Sequence, residues 1–188
     1  MLYKYRVQDL VTIAICVALS VVLGKVLGLL HRIMPFSRGL VNAPFFSFMI
    51  SLILYRVRRA GAISLYALGY GLLMVRFSVF ATIAIIIGGI MADLITRIIL
   101  GDYSSDSRIA IVAPIYSSCG IIASFFITTR LISSSLYNFG GLMSIIVSVI
   151  LVYLAGLLGS FSALHLYTRR LRINAYQADD SLPRGREL

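Results

Sequence analysis

The chain has 188 residues, of which 60% are hydrophobic and only 13% are charged, and its mean hydropathy is +0.96. A soluble domain usually has about 25% charged residues, and an apolar excess of this size cannot be hidden inside one globule. The net charge is +10, but the basic residues lie between apolar runs, as they do in the loops of membrane proteins. The composition therefore excludes an ordinary soluble domain, argues against nucleic-acid binding and predicts an all-α, polytopic protein of the lipid bilayer.

Six apolar segments reach or approach the length of about 20 residues that a helix needs to cross the hydrocarbon core. We expect these spans at about 10–30, 40–55, 60–75, 79–100, 109–129 and 142–167. The second and third segments are short, so they are either re-entrant pieces or helices that continue beyond the apolar run. Residues 1–174 then form a single six-helix membrane domain, and the polar tail at 175–188 is expected to be disordered.

The basic residues predict the orientation of this bundle. With six spans and a cytoplasmic N-terminus, 12 of the 17 Lys and Arg residues face the inside and four face the outside. The run RVRR at 56–59 is the clearest cytoplasmic loop. Because cytoplasmic loops carry the excess of Lys and Arg, both termini are predicted to be cytoplasmic.

Three of the predicted helices carry two small residues four positions apart, a spacing that lets helix backbones approach closely in lipid. These pairs are Ala14 with Ala18, Gly88 with Ala92, and Gly156 with Ser160. An apolar helix rich in Ala and Gly also shows such pairs by chance. The spacing alone therefore indicates close packing without identifying what each pair contacts.

Charged groups within the predicted spans are rare. Asp93 precedes Arg97 by one helical turn near the cytoplasmic end of the fourth span. We expect a structural intramembrane ion pair there, with proton or ion coupling as the alternative. Lys25 lies near the outer end of the first span, where its side chain either extends to the membrane surface or contacts a ligand.

The predicted outer side is rich in basic, polar and aromatic residues and has no acidic residue. Such a field favours an anionic ligand, and this mixture of side chains is typical of a small-molecule site. The candidate ligand-binding residues are Lys25, His31, Arg32, Phe36, Arg38, Asn42, Tyr70, Arg76, Tyr137 and Asn138. In the alternative interpretation the tyrosines form the aromatic belt at the membrane interface, and the loop residues are simply solvated.

Motifs of membrane enzymes are absent from the sequence, which has no HExxH, no GxSxG and no Walker A pattern. Ser160 and His165 are close in sequence, but no acidic residue follows on the same helix face, so a catalytic pair is not expected. Cys16 and Cys119 lie inside apolar runs, as small packing residues do. We therefore predict no enzymatic activity, no cofactor and no metal site.

Three stretches of the sequence are similar to a known family. QDLVTIAICVALSVVLG at 8–24, RRAGAISLYALGYGLLM at 58–74 and IIGGIMADLITRIILGDYSS at 86–105 resemble the substrate-binding membrane subunits (S components) of energy-coupling factor (ECF) transporters. These transporters are bacterial importers of the ABC type. The likeness is closest to the Trep_Strep branch and covers about residues 1–130, whereas the last helix and the tail match only in hydropathy.

The resemblance implies a subunit of the bacterial cytoplasmic membrane that captures a small organic micronutrient or chelate from outside. The loop at 31–39 would cover the ligand, and Ala14 and Ala18 would dock on the transmembrane coupling subunit (T component). Two cytoplasmic ATPase subunits would hydrolyse ATP. The chain has no Trp, although pockets of better-known vitamin-binding members are often lined by Trp, so such vitamins are less expected. A stand-alone small secondary transporter and a non-transport membrane assembly protein are the alternatives.

Overall fold

The computed structural model describes residues 5–30, 38–101, 105–127 and 141–171. In these ranges all regular structure is helical and no strand is present. The elements are α1 (Val7–Leu30), α2 (Arg38–Val57), α3 (Ala62–Met74), α4 (Val79–Leu100), α5 (Asp106–Val112), α6 (Ile115–Ile127), α7 (Gly141–Leu166) and a π-helical turn (Tyr167–Leu171). The prediction of an all-α fold is confirmed, whereas the predicted tail at 175–188 lies outside the described residues.

Five helical segments are long and apolar enough to cross a bilayer, as expected of a multi-pass membrane protein. They cover 7–27, 39–57, 79–99, 106–127 and 145–169. The fourth of these segments consists of α5 and α6 together. The predicted second span was cut too early, because α2 continues to Arg38 at one end and to Val57 at the other. Long basic side chains can lie at helix ends because their charges reach the interface.

The third apolar segment is a short helix. With 13 residues, α3 is about 20 Å long, which is less than the hydrocarbon thickness of about 30 Å. Its turn at 75–77 leads directly into α4, which begins after Ser78. The described residues therefore contain five long apolar helices and one short one, and six full spans stay a prediction.

Tertiary contacts bring both ends of the described chain to the same end of the bundle. The hydroxyl of Tyr5 donates to the carbonyl oxygen of Ala60 at 2.6 Å. At the other end of the chain, Tyr167 stacks on Tyr55 with ring centroids 4.9 Å apart. We call this the basic-loop end, defined by the α2–α3 loop at 58–61. The arrangement is the one that two cytoplasmic termini would require, while the cytoplasmic location itself stays a prediction.

The helix formed by α5 and α6 is interrupted at Pro114, and α7 satisfies the backbone at the break. Proline has no N–H, so the carbonyl of Ala110 loses its helical partner and instead accepts a hydrogen bond from Ser160 Oγ. The next carbonyl, that of Ile111, accepts from the hydroxyl of Tyr153 at 2.9 Å. Broken helices are tolerated at membrane depth where neighbouring side chains satisfy the freed groups. The residue between these two donors on α7, Gly156, packs directly on Pro114.

This arrangement predicts a strong coupling between Pro114 and Ser160. Ser160→Ala should lower the free energy of unfolding by about 1–3 kcal/mol, because the buried Ala110 carbonyl loses its donor. In a Pro114→Ala background the restored N–H can take that role, so the same Ser160→Ala change should cost less than half as much. A double-mutant cycle by unfolding in mixed micelles measures the difference. Equal costs in both backgrounds would show that Ser160 does not serve the proline break.

Candidate functional site

Some of the residues predicted to line the outer mouth lie outside the described residues, and the others differ in their exposure to solvent. His31, Arg32, Phe36, Tyr137 and Asn138 lie outside the described residues, and Arg38 is described only as the first residue of α2. Lys25 and Arg76 are exposed, and Tyr70 is buried. Asn42 is half-buried, and within the described part of the chain its Oδ1 is sealed from solvent without a hydrogen-bond partner.

Lys25 and the α3–α4 turn meet at the end of the bundle opposite the basic-loop end. The ammonium group of Lys25 lies 5.8 Å from the ring centroid of Phe77, which is within the range of a cation–π contact. Arg76 precedes Phe77 and is exposed in the same turn. These two predicted cations therefore share one end of the molecule, while their contact with a ligand stays a prediction.

Four aromatic rings from three helices form a cluster in the core. Phe46 of α2 contacts Tyr70 edge-to-face at 5.4 Å and Tyr116 of α6 at 6.3 Å between centroids. Tyr66 stacks parallel to Tyr70 at 6.0 Å and lies edge-on to Tyr116 at 5.7 Å. Such geometries are favourable beyond the area that the rings bury. The cluster holds α2, α3 and α6 together.

The tyrosine hydroxyls of this cluster differ in their hydrogen bonding. Tyr66 donates to Ser20 Oγ at 2.6 Å, and Ser20 in turn donates to the carbonyl of Cys16 at 2.8 Å. Tyr70 and Tyr116 are each only 6% exposed. Buried hydroxyls are nearly always paired; among the described residues the buried side-chain oxygens without a partner are Asn42 Oδ1, Thr96 Oγ1 and Ser118 Oγ.

A narrow crevice between α1 and α2 reaches this cluster. Its walls are apolar apart from one hydroxyl and consist of Ser20, Leu23, Gly24, Leu27, Phe45 and Phe46. Its cavity volume is about 10 Å³, which is the space of about one water molecule. Gly24 also packs closely on Tyr70, because a Cβ at this position would lie only 3.3 Å from the Tyr70 hydroxyl oxygen. Phe46 belongs to both the crevice and the aromatic cluster.

Tyr70 was the only member of this site that the sequence singled out. Tyr66 and Tyr70 are four residues apart on a short helix, a spacing that places them on one face and could have revealed the pair. Ser20, Phe46 and Tyr116 come from three other helices, so only the tertiary fold brings them together. Lys25 of the predicted outer mouth follows Gly24 on α1 but does not line the crevice.

Asp93 has a structural role that differs from the predicted one. Its two carboxylate oxygens accept hydrogen bonds from the Gly61 N–H and the Ser64 hydroxyl, both at 3.1 Å. Gly61 precedes α3 with a φ of +91°, which a glycine adopts without strain. A carboxylate at this place satisfies free N–H groups and the positive end of the helix dipole, so Asp93 caps α3 from α4.

The predicted ion pair between Asp93 and Arg97 is corrected by this geometry. Arg97 is exposed and acts on Asp93 only through a weaker, longer-range attraction. Among the described residues the ion pair at salt-bridge distance joins Arg58 to Asp106. The first N–H groups of a helix have no partner within the helix. The carboxylate of Asp93 therefore turns towards the start of α3, where the Gly61 N–H lies within hydrogen-bond distance.

Contacts of Asp93, Asp106 and Tyr5 fix the basic-loop end. Arg58 lies at a positive φ of 47°, and its guanidinium contacts Asp106 and the carbonyl of Tyr55. Burial, followed by the charge of Asp93, raises the pKa of Tyr5 above its ordinary value, so its hydroxyl remains a donor to Ala60 at neutral pH. The α2–α3 loop is therefore fixed by contacts to the segment before α1 and to the start of α5, which indicates a structural role for this loop.

The three pairs of small residues are used in two different ways. Gly88 and Ala92 are buried in α4, where a Cβ on Gly88 would lie 3.0 Å from the backbone of Gly120. Gly156 and Ser160 are buried against α2 and α5. The third pair, Ala14 and Ala18, is exposed on the outer face of α1. Close packing within the chain therefore accounts for two pairs and leaves the third uncovered.

Comparisons with protein-family models, curated proteins and solved structures found no match to this chain.

Proposed function

We propose that this chain is the substrate-capture subunit of an ATP-driven importer in the bacterial cytoplasmic membrane, as in the S components of ECF transporters. The observation that carries the proposal is the outward orientation of Ala14 and Ala18. The other two pairs serve helix packing inside the chain. A small-residue pair is suited to close contact with another membrane helix, and that helix would belong to a T component.

The architecture of α1 supports such docking. Along the outer face of α1, large apolar side chains flank the small pair, among them Val11, Ile15 and Val22, which are between 50% and 59% exposed. About 28% of the apolar segment of α1 is buried within the chain, against 22% for α7 and 50% for α2. A helix with this much free surface can accept a partner without disturbing the core of its own chain.

The crevice beside α1 supports a capture role. It lies between α1 and α2, and Phe46 in its lining packs on Tyr70, so one helix would carry both the docking face and part of the ligand site. We propose a small organic ligand, such as a micronutrient or chelate, that enters from the side of Lys25 and Arg76. In this proposal ATP is hydrolysed by two partner subunits, and the chain itself has no enzymatic role.

A stand-alone secondary carrier is the less favoured function. Ion-coupled transport within the spans would use an ionisable group that is free to exchange its proton or ion. Asp9 and Asp106 lie in the first turns of their helices, whereas Asp93 lies well inside α4, and both of its oxygens are engaged in capping α3. This engagement favours a structural role for Asp93 over coupling.

Co-purification tests the proposed docking surface. Ala14→Leu combined with Ala18→Leu should reduce recovery of a larger membrane subunit and ATPases with the tagged chain by about tenfold. The bulky side chains would prevent close approach of the partner helix. Ala81→Leu is the matched control, because Ala81 is an exposed small residue of α4. The tagged variants are isolated in mild detergent, and the co-purified subunits are quantified by mass spectrometry.

Two results would contradict the proposed function. One is a wild-type chain that is recovered without any membrane or ATPase partner when it is isolated from its native membrane. The other is a double variant that retains its partners and supports the same uptake as Ala81→Leu. An unchanged melting temperature of the double variant would show that its loss of partners is not a loss of folding.

A further inference from the structure

Three arginines at the basic-loop end have no partner within the described part of the chain. Arg56 of α2, Arg108 of α5 and Arg169 of the π-helical turn are exposed, and none of them forms a hydrogen bond or ion pair with a described residue. Arg58 of the same end is different, because its guanidinium is paired with Asp106. The three exposed guanidinium groups are therefore free to bind an external anion.

Tyr55 brings together the three elements that carry these arginines. Its ring stacks on Tyr167 of the π-helical turn with centroids 4.9 Å apart, and its hydroxyl donates to the carbonyl of Asp106 in α5 at 3.4 Å. Arg56 directly follows Tyr55, and each of the other two arginines lies two residues after the residue that Tyr55 contacts. Because one side chain contacts both other elements, the three positive charges form one group, which we call the three-arginine patch.

No acidic side chain of the described ranges is left to neutralise this patch. The acids in these ranges are Asp9, Asp93 and Asp106. Asp9 accepts a hydrogen bond from the backbone N–H of Arg6, Asp93 caps α3, and Asp106 is paired with Arg58. Positive charges that are gathered without counter-charge repel each other and create a field that attracts anions.

The three-arginine patch lies at the ends of three candidate membrane spans. Arg56 and Arg169 are among the last two residues of their spans, and Arg108 is the third residue of its own. Basic side chains at span ends reach the level of the lipid headgroups. Exposed apolar side chains follow on the membrane side, among them Ile111 on α5 and Phe161 on α7, which are 50% and 49% exposed. A phospholipid can therefore place its phosphate at the arginines and its acyl chains along these two helices.

We infer that the three-arginine patch binds the headgroup phosphate of an anionic phospholipid. A guanidinium donates two parallel hydrogen bonds to phosphate oxygens, and basic pockets between membrane helices bind acidic headgroups. Phosphatidylcholine carries a cationic choline that the patch would repel, so the patch selects phosphatidylglycerol over phosphatidylcholine. This binding is a property of the chain alone and does not depend on the proposed importer function.

Native mass spectrometry of the delipidated chain in detergent micelles tests the inference with an equimolar mixture of dioleoyl-phosphatidylglycerol and dioleoyl-phosphatidylcholine. The wild type should retain phosphatidylglycerol at least about tenfold more than phosphatidylcholine. Arg56→Gln, Arg108→Gln and Arg169→Gln should each weaken binding of phosphatidylglycerol about fivefold, which is the contribution of one basic residue near an anionic membrane surface. Inorganic phosphate at the same concentration as the lipids should not displace phosphatidylglycerol, because it lacks the acyl chains.

Arg97→Gln is the matched control for these variants. Arg97 is an exposed arginine at the same end of the bundle, but it lies on α4, outside the three-arginine patch. Its removal lowers the net charge by the same amount and should leave retention of phosphatidylglycerol unchanged. Equal losses in Arg97→Gln and Arg108→Gln would overturn the inference, because a diffuse positive field would then attract the lipid.

Two results for the wild type would also overturn the inference. Equal retention of both lipids would favour an acidic protein segment as the occupant of the patch, and displacement by inorganic phosphate would favour a soluble anion. The melting temperature of each variant should match that of the wild type, because the three side chains make no hydrogen bond or ion pair with the described residues. A loss of lipid at an unchanged melting temperature is then a loss of binding.

Discussion

Gly159→Ala should destabilise the bundle by at least about 2 kcal/mol, although alanine is the better helix former. A Cβ on Gly159 would overlap the carbonyl oxygen of Pro44, with the carbonyl carbon at 2.6 Å and the Cα at 2.7 Å. These are backbone atoms of α2, so no rotamer change can remove the overlap. The two helices would have to separate, and forced overpacking typically costs about 1–3 kcal/mol. That separation would also disturb the contact between Ser51 and Ser160, now 2.8 Å.

Gly120→Ala is the matched control for this prediction. A Cβ on Gly120 would meet no heavy atom within 4 Å, so the substitution should stabilise α6 by up to about 1 kcal/mol through helix propensity. Both variants are compared with wild type by thermal unfolding in the same detergent. The opposite signs are the decisive feature, since a general intolerance of glycine substitution would lower both stabilities. An unchanged Gly159→Ala protein would mean that α2 and α7 are not in backbone contact.

The small-residue spacing on α4 and α7 correctly predicted close helix packing, because this spacing determines which residues share a helix face. Helix faces follow from residue spacing, and Gly88, Ala92, Gly156 and Ser160 are indeed buried between helices. The same spacing could not distinguish Ala14 and Ala18, which are exposed. Whether a small pair is covered depends on which helices are neighbours, and this information lies in the tertiary fold.

Local rules failed where a partner is distant in the sequence. The spacing of Asp93 and Arg97 suggested an ion pair, but the acceptor oxygens of Asp93 bind groups about 30 residues earlier in the chain, at Gly61 and Ser64. The predicted fifth span was continuous, although it contains Pro114. Its freed carbonyl at Ala110 is satisfied by Ser160, 50 residues later. Hydrophobic periodicity reports which segments are helices, and it does not report these cross-helix polar contacts.

Asp93→Ala should be the most damaging change at the basic-loop end. It leaves the Gly61 N–H and the Ser64 hydroxyl without their acceptors, and the loss of a cap together with buried unpaired donors costs about 1–3 kcal/mol. Asp93→Asn keeps one acceptor oxygen and should lose less. Arg97→Gln should be within about 0.5 kcal/mol of wild type, because Arg97 is exposed and surface substitutions of this kind have small effects.

Stability and uptake measured on the same three variants separate the possible roles of Asp93. Capping of α3 predicts the order Asp93→Ala, Asp93→Asn, Arg97→Gln from the largest to the smallest loss of stability, with uptake following the amount of folded protein. An ion pair with Arg97 predicts similar losses for Asp93→Ala and Arg97→Gln, which would contradict the cap. Proton or ion coupling predicts a fully stable Asp93→Asn protein without uptake. The cap is favoured because it uses both carboxylate oxygens at once, and neither rival role explains why Gly61 and Ser64 converge on them.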